Sequence, residues 1–492
     1  MTHRINLPPT AGAITAAFAA GDLGAVDVAR EILRRCEAGR PLNAVISQDG
    51  EWLLAAARAA DERRDRGEPA RLLEAVPVLV KDNIDTCDYP TSAGTPALAR
   101  DVPRQDAGVV SRLREAGALI AGKANLYELA LGGDGTNRHF GNVGNPWGEG
   151  LSPGGSSSGS AAAVAAGLVP AALGTDTNGS VRMPGSRCGI AGYRPSFQRY
   201  PGDGIIPPTV TRDSVGILAT CIADLHLLDQ ALAGECYPLP VVALEGLRLS
   251  RPRGYLEEGL DAGTREVLDA SIELLRAGGA TVIDTELPGL EQLVVRAAWI
   301  ISGYEVIRDL PGYLLRRGTT LGIEDIEAGI ALPLAASRFR PRAADSAALV
   351  GMQRAYDEAM AVHRPRLQEM LAGHFRQHGV AALVYATTPV AARPAGADAG
   401  LTEATSRPAS LAGTIIQNTL HQSVAGIPSL TVPAGLTAAG LPVGLGLDGP
   451  MGGDAQLLGI ARAFELLRGP FPAAPGALSA SRTAGSRGAG RG

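Results

Sequence analysis

The chain has 492 residues, of which 45% are hydrophobic and 19% are charged, and its formal net charge is −5. This composition is typical of a globular protein with a sizeable core, and the charge gives no reason to expect nucleic acid or an anionic membrane as a partner. The sequence shows no signal peptide and no apolar run of the roughly 18–20 residues that a membrane span needs. The five cysteines are scattered and odd in number, which favours a reducing cytoplasm over a disulfide framework or a zinc site.

In chain order, helices come first, and an alternation of strands and helices follows. The spacing of apolar residues predicts N-terminal helices over residues 10–66. The later strands are predicted at 76–80, 119–121, 168–173, 280–284, 380–385, 429–432 and 442–447, and the later helices at 107–116, 262–277, 347–371 and 454–467. This alternation predicts an α/β fold in which helices cover both faces of a mixed sheet.

No linker or internal repeat divides the chain, so a single domain is predicted over residues 1–472 with its core at about 75–200. Between about 287 and 346 the pattern becomes irregular and predicts short helices that form an insertion and a pocket wall. The residues expected to interrupt those helices are Gly303, Pro311, Gly318 and Pro333. From residue 473 to 492 the small, polar sequence predicts a disordered tail.

Only two lysines are present, Lys81 and Lys123, among 45 basic residues. Arginine keeps its proton near neutral pH, whereas a buried lysine can lose it. A lysine retained against this bias is therefore a candidate for a group that must become neutral, with chance as the alternative. Lys81 follows the apolar run Val76–Val80, at the end of a predicted strand.

Three small-residue segments lie close together: the serine loop GGSSSGS (154–160), the apolar helix AAAVAAG (161–167) and the turn GTDTNGS (174–180). The serine loop lacks the GK[ST] ending of a P-loop and the GxGxxG pattern of dinucleotide sites. It runs directly into a helix suited to close packing, so it is not a surface linker. A serine nucleophile fits better, because backbone N–H groups of the turn could bind a tetrahedral intermediate.

A Ser-His-Asp triad is not predicted. The sequence has no GxSxG motif near these loops, and His139 is the one histidine close to them. His374 and His378 lie four residues apart without an acidic partner between them, which predicts a solvated helix face.

The segments together resemble the amidase signature family. The likeness continues in GKANLYELALGG (122–133), GNPW (144–147), CGIAGYRP (188–195) and VAGIPSLTVPAGL (424–436), and it covers roughly residues 10–470. It implies the amidase signature fold and an amidase with a Ser-Ser-Lys triad, without metal or cofactor. Ser180 would be the nucleophile, Ser156 a bridging serine on a cis peptide bond, and Lys81 the base.

The resemblance implies roles for further residues. They are the oxyanion and substrate contacts Thr177, Asn178, Gly179 and Ala130, and the supporting residues Asp176 and Arg182. Two positions depart from the family pattern, because Ser158 and Asn178 replace common glycines. The Asn178 side chain narrows the space beside the nucleophile, and a positive φ at this position would suit Asn better than most residues.

Within the family, residues 88–98, 202–216 and 441–450 are similar to members that hydrolyse mandelamide and indoleacetamide. We therefore expect a primary arylalkyl amide as the small-molecule substrate, cleaved to a carboxylate and ammonia. The alternatives are a biuret or urea-derivative hydrolase, the glutaminase A subunit of a tRNA-dependent amidotransferase, and a catalytically silent binding or scaffold homologue. The sequence leaves a homodimer open.

Overall fold

The computed structural model describes residues 6–207, 209–339, 346–397, 411 and 413–478. The described residues form a mixed sheet of eleven strands. In chain order these are β1 (Val45–Ser47), β2 (Pro77–Lys81), β3 (Leu119–Ala124), β4 (Ala171–Thr175), β5 (Ala191–Arg194), β6 (Val215–Ala219), β7 (Arg248–Pro252), β8 (Thr281–Thr285), β9 (Ala382–Ala386), β10 (Ser429–Leu436) and β11 (Pro442–Asp448). Their order across the sheet is β1-β3-β2-β4-β6-β5-β10-β11-β9-β7-β8.

The helices are distributed along the whole described chain. They are α1 (Ala11–Ala20), α2 (Ala25–Ala38), α3 (Gly50–Asp65), α4 (Gly108–Glu115), α5 (Ser158–Ala165), α6 (Arg182–Cys188), α7 (Ile222–Ala233), α8 (Ala262–Ala277), α9 (Leu290–Arg317), α10 (Ile323–Gly329), α11 (Pro333–Phe339), α12 (Ser346–Glu358), α13 (Arg364–His378), α14 (Leu420–Ala425) and α15 (Asp454–Arg468). A π-helical turn, Ala359–His363, joins α12 to α13.

The central strands are buried at every residue, including all of β2, β4 and β6. Side chains alternate between the two faces of a strand, so continuous burial means that both faces are covered. This confirms the predicted α/β fold. The small residues of α5 allow it to approach the sheet closely: a Cβ at Gly159 would lie 2.3 Å from the Ala44 carbonyl oxygen.

The sheet places two polar side chains at one edge. Strands β2 and β4 are parallel neighbours, with Val80 opposite Leu173. Lys81 ends β2 and Thr175 ends β4, so both emerge at the carboxyl ends of adjacent strands. The chain after β4 makes the turn of residues 176–181 and then enters α6.

Most predicted elements lie within a few residues of their observed positions, but β1, β5, β6, β7, α6, α7 and α14 were not predicted. Helix α7 is buried over most of its surface, which hides the periodicity of an amphipathic helix. Strand β5 is short, contains Gly192 and ends in the buried Arg194. Such segments carry little strand pattern.

The prediction of short helices after residue 287 is wrong for its first half. Helix α9 continues for 28 residues through both Gly303 and Pro311. Its buried side chains, among them Val306, Leu310 and Leu314, stabilise the helix by tertiary packing in spite of the proline. Gly318, in the left-handed conformation with φ 77°, ends α9 as expected.

The described chain also extends beyond the predicted end of the domain at residue 472. Gly476 and Leu478 donate backbone hydrogen bonds to the carbonyl oxygens of Pro146 and Ala166, at 2.9 and 3.0 Å. Residues 473–478 are therefore attached to the core. The rest of the predicted tail, residues 479–492, lies outside the described residues.

All five cysteines are unpaired. Across the ranges that the structure describes, no helix combines the length and apolar character needed to cross a membrane. The same ranges contain no group of three or more potential metal ligands.

Candidate active site

Lys81 is fully buried, and its ammonium group contacts two hydroxyl groups. Nζ lies 2.7 Å from Ser156 Oγ and 2.8 Å from Thr175 Oγ1. Burial lowers the pKa of Lys81 to about 7, although the negative charges of Asp213 and Asp176 act in the opposite direction. An amine with this pKa is substantially neutral at physiological pH.

The second lysine has different surroundings. Lys123 is also fully buried, but Asp82 Oδ1 lies 3.4 Å from its Nζ. It also donates hydrogen bonds to Thr91 Oγ1 at 2.6 Å and to the Ile84 carbonyl at 2.8 Å. In contrast, no carboxylate of the described chain comes within 4.0 Å of Lys81 Nζ.

Ser156 lies on the cis peptide bond Gly155–Ser156, as the resemblance implied. Its carbonyl accepts a hydrogen bond from the Tyr127 N–H at 3.2 Å. The next residue, Ser157, donates its N–H to the Ser180 carbonyl, also at 3.2 Å. These bonds tie the serine loop to the turn that carries Ser180.

Ser180 follows Gly179 in this turn and is 8% exposed, so it is accessible from the cavity that it lines. Gly179 has φ 100°, and a Cβ there would lie 2.1 Å from Thr419 Oγ1. Only glycine fits this position. The positive φ considered for Asn178 is thus found at Gly179 instead.

Asp176 and Arg182 form a buried ion pair beneath the turn. Arg182 donates from Nε to Asp176 Oδ2 at 3.0 Å and from Nη2 to Oδ1 at 2.9 Å. Burial alone would raise the pKa of Asp176, but the Arg182 guanidinium holds it well below its usual range. The carboxylate also accepts from the Gly179 N–H at 2.8 Å, which fixes the backbone next to Ser180.

The four backbone N–H groups of residues 177–180 differ in their partners. That of Gly179 donates to Asp176, whereas those of Thr177, Asn178 and Ser180 find no acceptor among the residues that the structure describes. The three residues also line the cavity beside Ser180.

Ala130 also lines this cavity, in a segment with left-handed backbone. Its φ is 55°, and that of Leu129 is 54°. The Ala130 N–H donates to the Tyr127 carbonyl at 2.8 Å. The Ala130 N–H is therefore already bonded within the chain.

A cavity opens beside Ser180. Its apolar lining includes Leu131, Met183, Pro207, Trp299, Val306, Leu334 and Ile416, and its polar lining includes Asn83, Thr175, Thr177, Asn178, Thr209, Asp213 and Ser302. The residues from α9 and α11 belong to the segment expected to form a pocket wall. The mixture suits a largely apolar organic ligand with a polar head.

Sequence reasoning missed three residues of the site: Thr175, Arg212 and Asp213. Thr175 lies inside the GTDTNGS turn motif, so its position before Asp176 was an available signal. Asp213 accepts a hydrogen bond from the Thr177 hydroxyl and another from the Thr209 N–H at 2.9 Å. Burial raises the pKa of Asp213 to about 6.

The histidines take no part in this arrangement. His139 Nε2 lies 3.2 Å from Glu128 Oε1. The predicted solvated face of α13 is wrong for His374, which is 5% exposed and contacts Ser250 Oγ at 2.9 Å. The side chain packs on β7, a strand that the sequence did not predict.

Comparison with known proteins agrees with the resemblance. The family model described as Amidase matches residues 27–458. The chain is 36% identical over 450 residues to indoleacetamide hydrolase from Rhizobium radiobacter, covering 90% of this chain and 94% of that protein. It is 35% identical over 455 residues to mandelamide hydrolase from Pseudomonas putida, with coverages of 89% and 87%.

A solved structure described as an amidase has the same fold, with a TM-score of 0.81 and 32% identity over 92% of this chain and 98% of the other. The family match spans the strands, both loops and the turn that build the site. The chain belongs to the Amidase family of hydrolases acting on linear amides.

Proposed function

We propose that this protein hydrolyses primary arylalkyl carboxamides to carboxylate and ammonia through an acyl-enzyme on Ser180. The observation that carries the proposal is the contact between Lys81 and Ser156. A buried amine that meets hydroxyl groups and no carboxylate can act as a general base near pH 7. The two small-molecule amide hydrolases that resemble the chain support this reaction class.

Neutral Lys81 accepts the Ser156 hydroxyl proton, and Ser156 takes the proton of Ser180 as Ser180 Oγ attacks the amide carbonyl carbon. The same relay returns a proton to the leaving nitrogen when the C–N bond breaks, and ammonia departs. Water then attacks the acyl-enzyme carbonyl carbon and gives a proton to the relay, and the relay returns a proton to Ser180 Oγ as its bond to the acyl carbon breaks. Thr175 accepts from Lys81 and holds the amine in position.

The oxyanion of each tetrahedral intermediate is stabilised by the turn. The N–H groups of Thr177, Asn178 and Ser180 have no other acceptor in the described chain, which makes them the first choice as donors. Gly179 was expected to donate as well, but its N–H is bonded to Asp176. We propose that Gly179 contributes by its conformation, with Asp176 and Arg182 as positioning residues.

The apolar cavity wall supports an arylalkyl acyl group. Trp299 and Val306 come from α9, Leu334 from α11 and Ile416 from the segment before α14. The Ala130 carbonyl would accept a hydrogen bond from the NH₂ group of a primary amide. A charged acyl group, such as that of glutamine, would find less complementarity against this wall.

The test measures ammonia release from phenylacetamide and indole-3-acetamide, with glutamine and biuret as comparison substrates. We expect turnover of the aryl amides in preference to the other two. Turnover confined to glutamine or biuret would contradict the substrate class and favour the corresponding alternative.

Intact-mass spectrometry with a fluorophosphonate probe tests the nucleophile separately. We expect one adduct on the wild type and none on Ser180→Ala. Ser302→Ala is a matched control, because Ser302 lines the same cavity, and it should keep the adduct. An adduct that persists in Ser180→Ala would overturn the assignment.

A further inference from the structure

The orientation of the Asn178 side-chain amide is set by a hydrogen bond from Arg212. Arg212 Nη2 lies 2.6 Å from Asn178 Oδ1. A guanidinium has only donors, so the Asn178 atom that faces it must be the carbonyl oxygen. The two hydrogens of Asn178 Nδ2 therefore point away from Arg212.

Arg212 is itself firmly held. It is fully buried and also donates to the carbonyl oxygens of Thr177, at 2.9 Å, and Ala298. Burial, together with the charges of Arg194 and Arg364, lowers the pKa of Arg212 to about 9, which leaves it protonated at neutral pH. The orientation of Asn178 is thus fixed before any ligand binds.

Asn178 Nδ2 is an accessible donor on a residue that lines the catalytic cavity. Asn178 lines that cavity and is half-buried. Its Nδ2 has no acceptor among the described residues, and it is not one of the buried polar atoms that lack a partner. An accessible donor of a cavity-lining residue, held from behind by a buried arginine, is well placed to bind a ligand.

The donor is also close to the reacting atoms. Asn178 and Ser180 are two residues apart, so their Cα atoms are separated by at most about 7 Å. An acceptor bonded to Asn178 Nδ2 can therefore lie on a substrate atom near the scissile carbonyl.

We propose that Asn178 is a specificity-determining residue whose Nδ2 donates a hydrogen bond to an oxygen on the carbon next to the scissile carbonyl. The preferred substrates are then 2-hydroxy or 2-oxo arylacetamides, rather than amides with an unsubstituted methylene group at that carbon. This inference rests on the proposed function and narrows its substrate class.

The test compares kcat/KM for mandelamide and phenylacetamide, which differ by one hydroxyl group at this carbon. Each mandelamide enantiomer is measured separately, because a donor in a fixed position should distinguish them. In Asn178→Ala we expect the preference for the better enantiomer over phenylacetamide to fall about 3- to 10-fold, the value of one neutral hydrogen bond. Alanine suits the backbone there, since Asn178 has no positive φ.

Two controls separate this inference from its rivals. Ser302→Ala truncates another polar cavity residue and should leave the substrate ratio unchanged, because its hydroxyl donates to the Ala298 carbonyl. If Asn178→Ala slows both substrates equally, Asn178 has only a structural role and the inference is wrong. If the wild type hydrolyses neither amide, the proposed function fails first, and the inference fails with it.

Discussion

The two lysines of this chain occupy neighbouring strands and have opposite surroundings. Lys81 ends β2, and Lys123 lies beside it on β3, where it pairs in register with Val80. Both side chains are fully buried. Lys81 faces the hydroxyl groups of Ser156 and Thr175, whereas Lys123 faces the carboxylate of Asp82.

The surroundings of Lys81 suit a chemical role, whereas those of Lys123 suit a structural role. Burial lowers the pKa of both lysines, and at Lys123 the Asp82 carboxylate opposes the effect directly. The paired cation attaches β3 to the segment after β2, because Lys123 also bonds to Ile84 and Thr91 in that segment. An unpaired amine next to a hydroxyl group is able to accept a proton. The same substitution at the two positions should therefore have opposite consequences.

The largest effect is expected from Lys81→Met. Loss of the base should reduce kcat/KM by about 10³-fold, within the usual range for a general base. The stability of the protein should stay the same or rise, because a buried amine that favours its neutral form is replaced by an apolar side chain of similar length. Steady-state kinetics and urea unfolding measure the two quantities on the same preparation.

Lys81→Arg is the sharper control. Arginine keeps a positive charge but cannot become neutral, so it should be as inactive as methionine if the base must lose its proton. Activity within 10-fold of the wild type in either variant would show that Lys81 is not the base.

A smaller effect, on stability, is expected from Lys123→Met. The substitution leaves the Asp82 carboxylate buried without its cation, which should cost about 3–5 kcal/mol of the free energy of unfolding. The kcat/KM of the folded fraction should remain within 10-fold of the wild type. Urea denaturation followed by circular dichroism provides the measurement.

The double variant Asp82→Asn/Lys123→Met tests whether the unpaired Asp82 carboxylate causes this loss of stability. Removal of both charges should recover much of the stability lost in Lys123→Met, since no unpaired charge remains. A loss equal to that of the single variant would contradict the ion-pair explanation.

The fold class could be predicted from the sequence because it depends on local patterns, and the family resemblance implied the site residues Lys81, Ser156 and Ser180. The apolar run before Lys81 predicted a strand, and the glycine and serine segments around Ser156 and Ser180 predicted loops. Parallel pairing of β2 with β4 then brings the carboxyl ends of the two strands together. The rarity of lysine indicated two candidates but could not distinguish them, because the partner of each depends on side-chain contacts.

Interactions between distant segments could not be predicted from the sequence alone. Arg212 reaches Asn178 and Ala298 across 34 and 86 residues of chain. Pro311 suggested a helix boundary, but packing of α9 overrode its local preference. The sequence predicts an exposed His374 because β7, the strand that it contacts, has too weak a pattern to identify. Local sequence patterns therefore predict helices and strands, whereas the partners of their side chains depend on tertiary contacts.

The smallest effect concerns the pH dependence of Lys81 and the role of Thr175 beside it. The neutral amine is the active form, so kcat/KM should fall about 10-fold for each pH unit below about 7 and level off above it.

Thr175 Oγ1 accepts from the Lys81 amine at 2.8 Å and stabilises its charged form more than its neutral form. Thr175→Val should therefore shift the acidic limb to lower pH by about one unit. Thr175→Ser, which keeps the hydroxyl group, should leave the limb in place. A profile that only drops in height, with the same midpoint in the valine variant, would mean that Thr175 positions the amine without affecting its pKa.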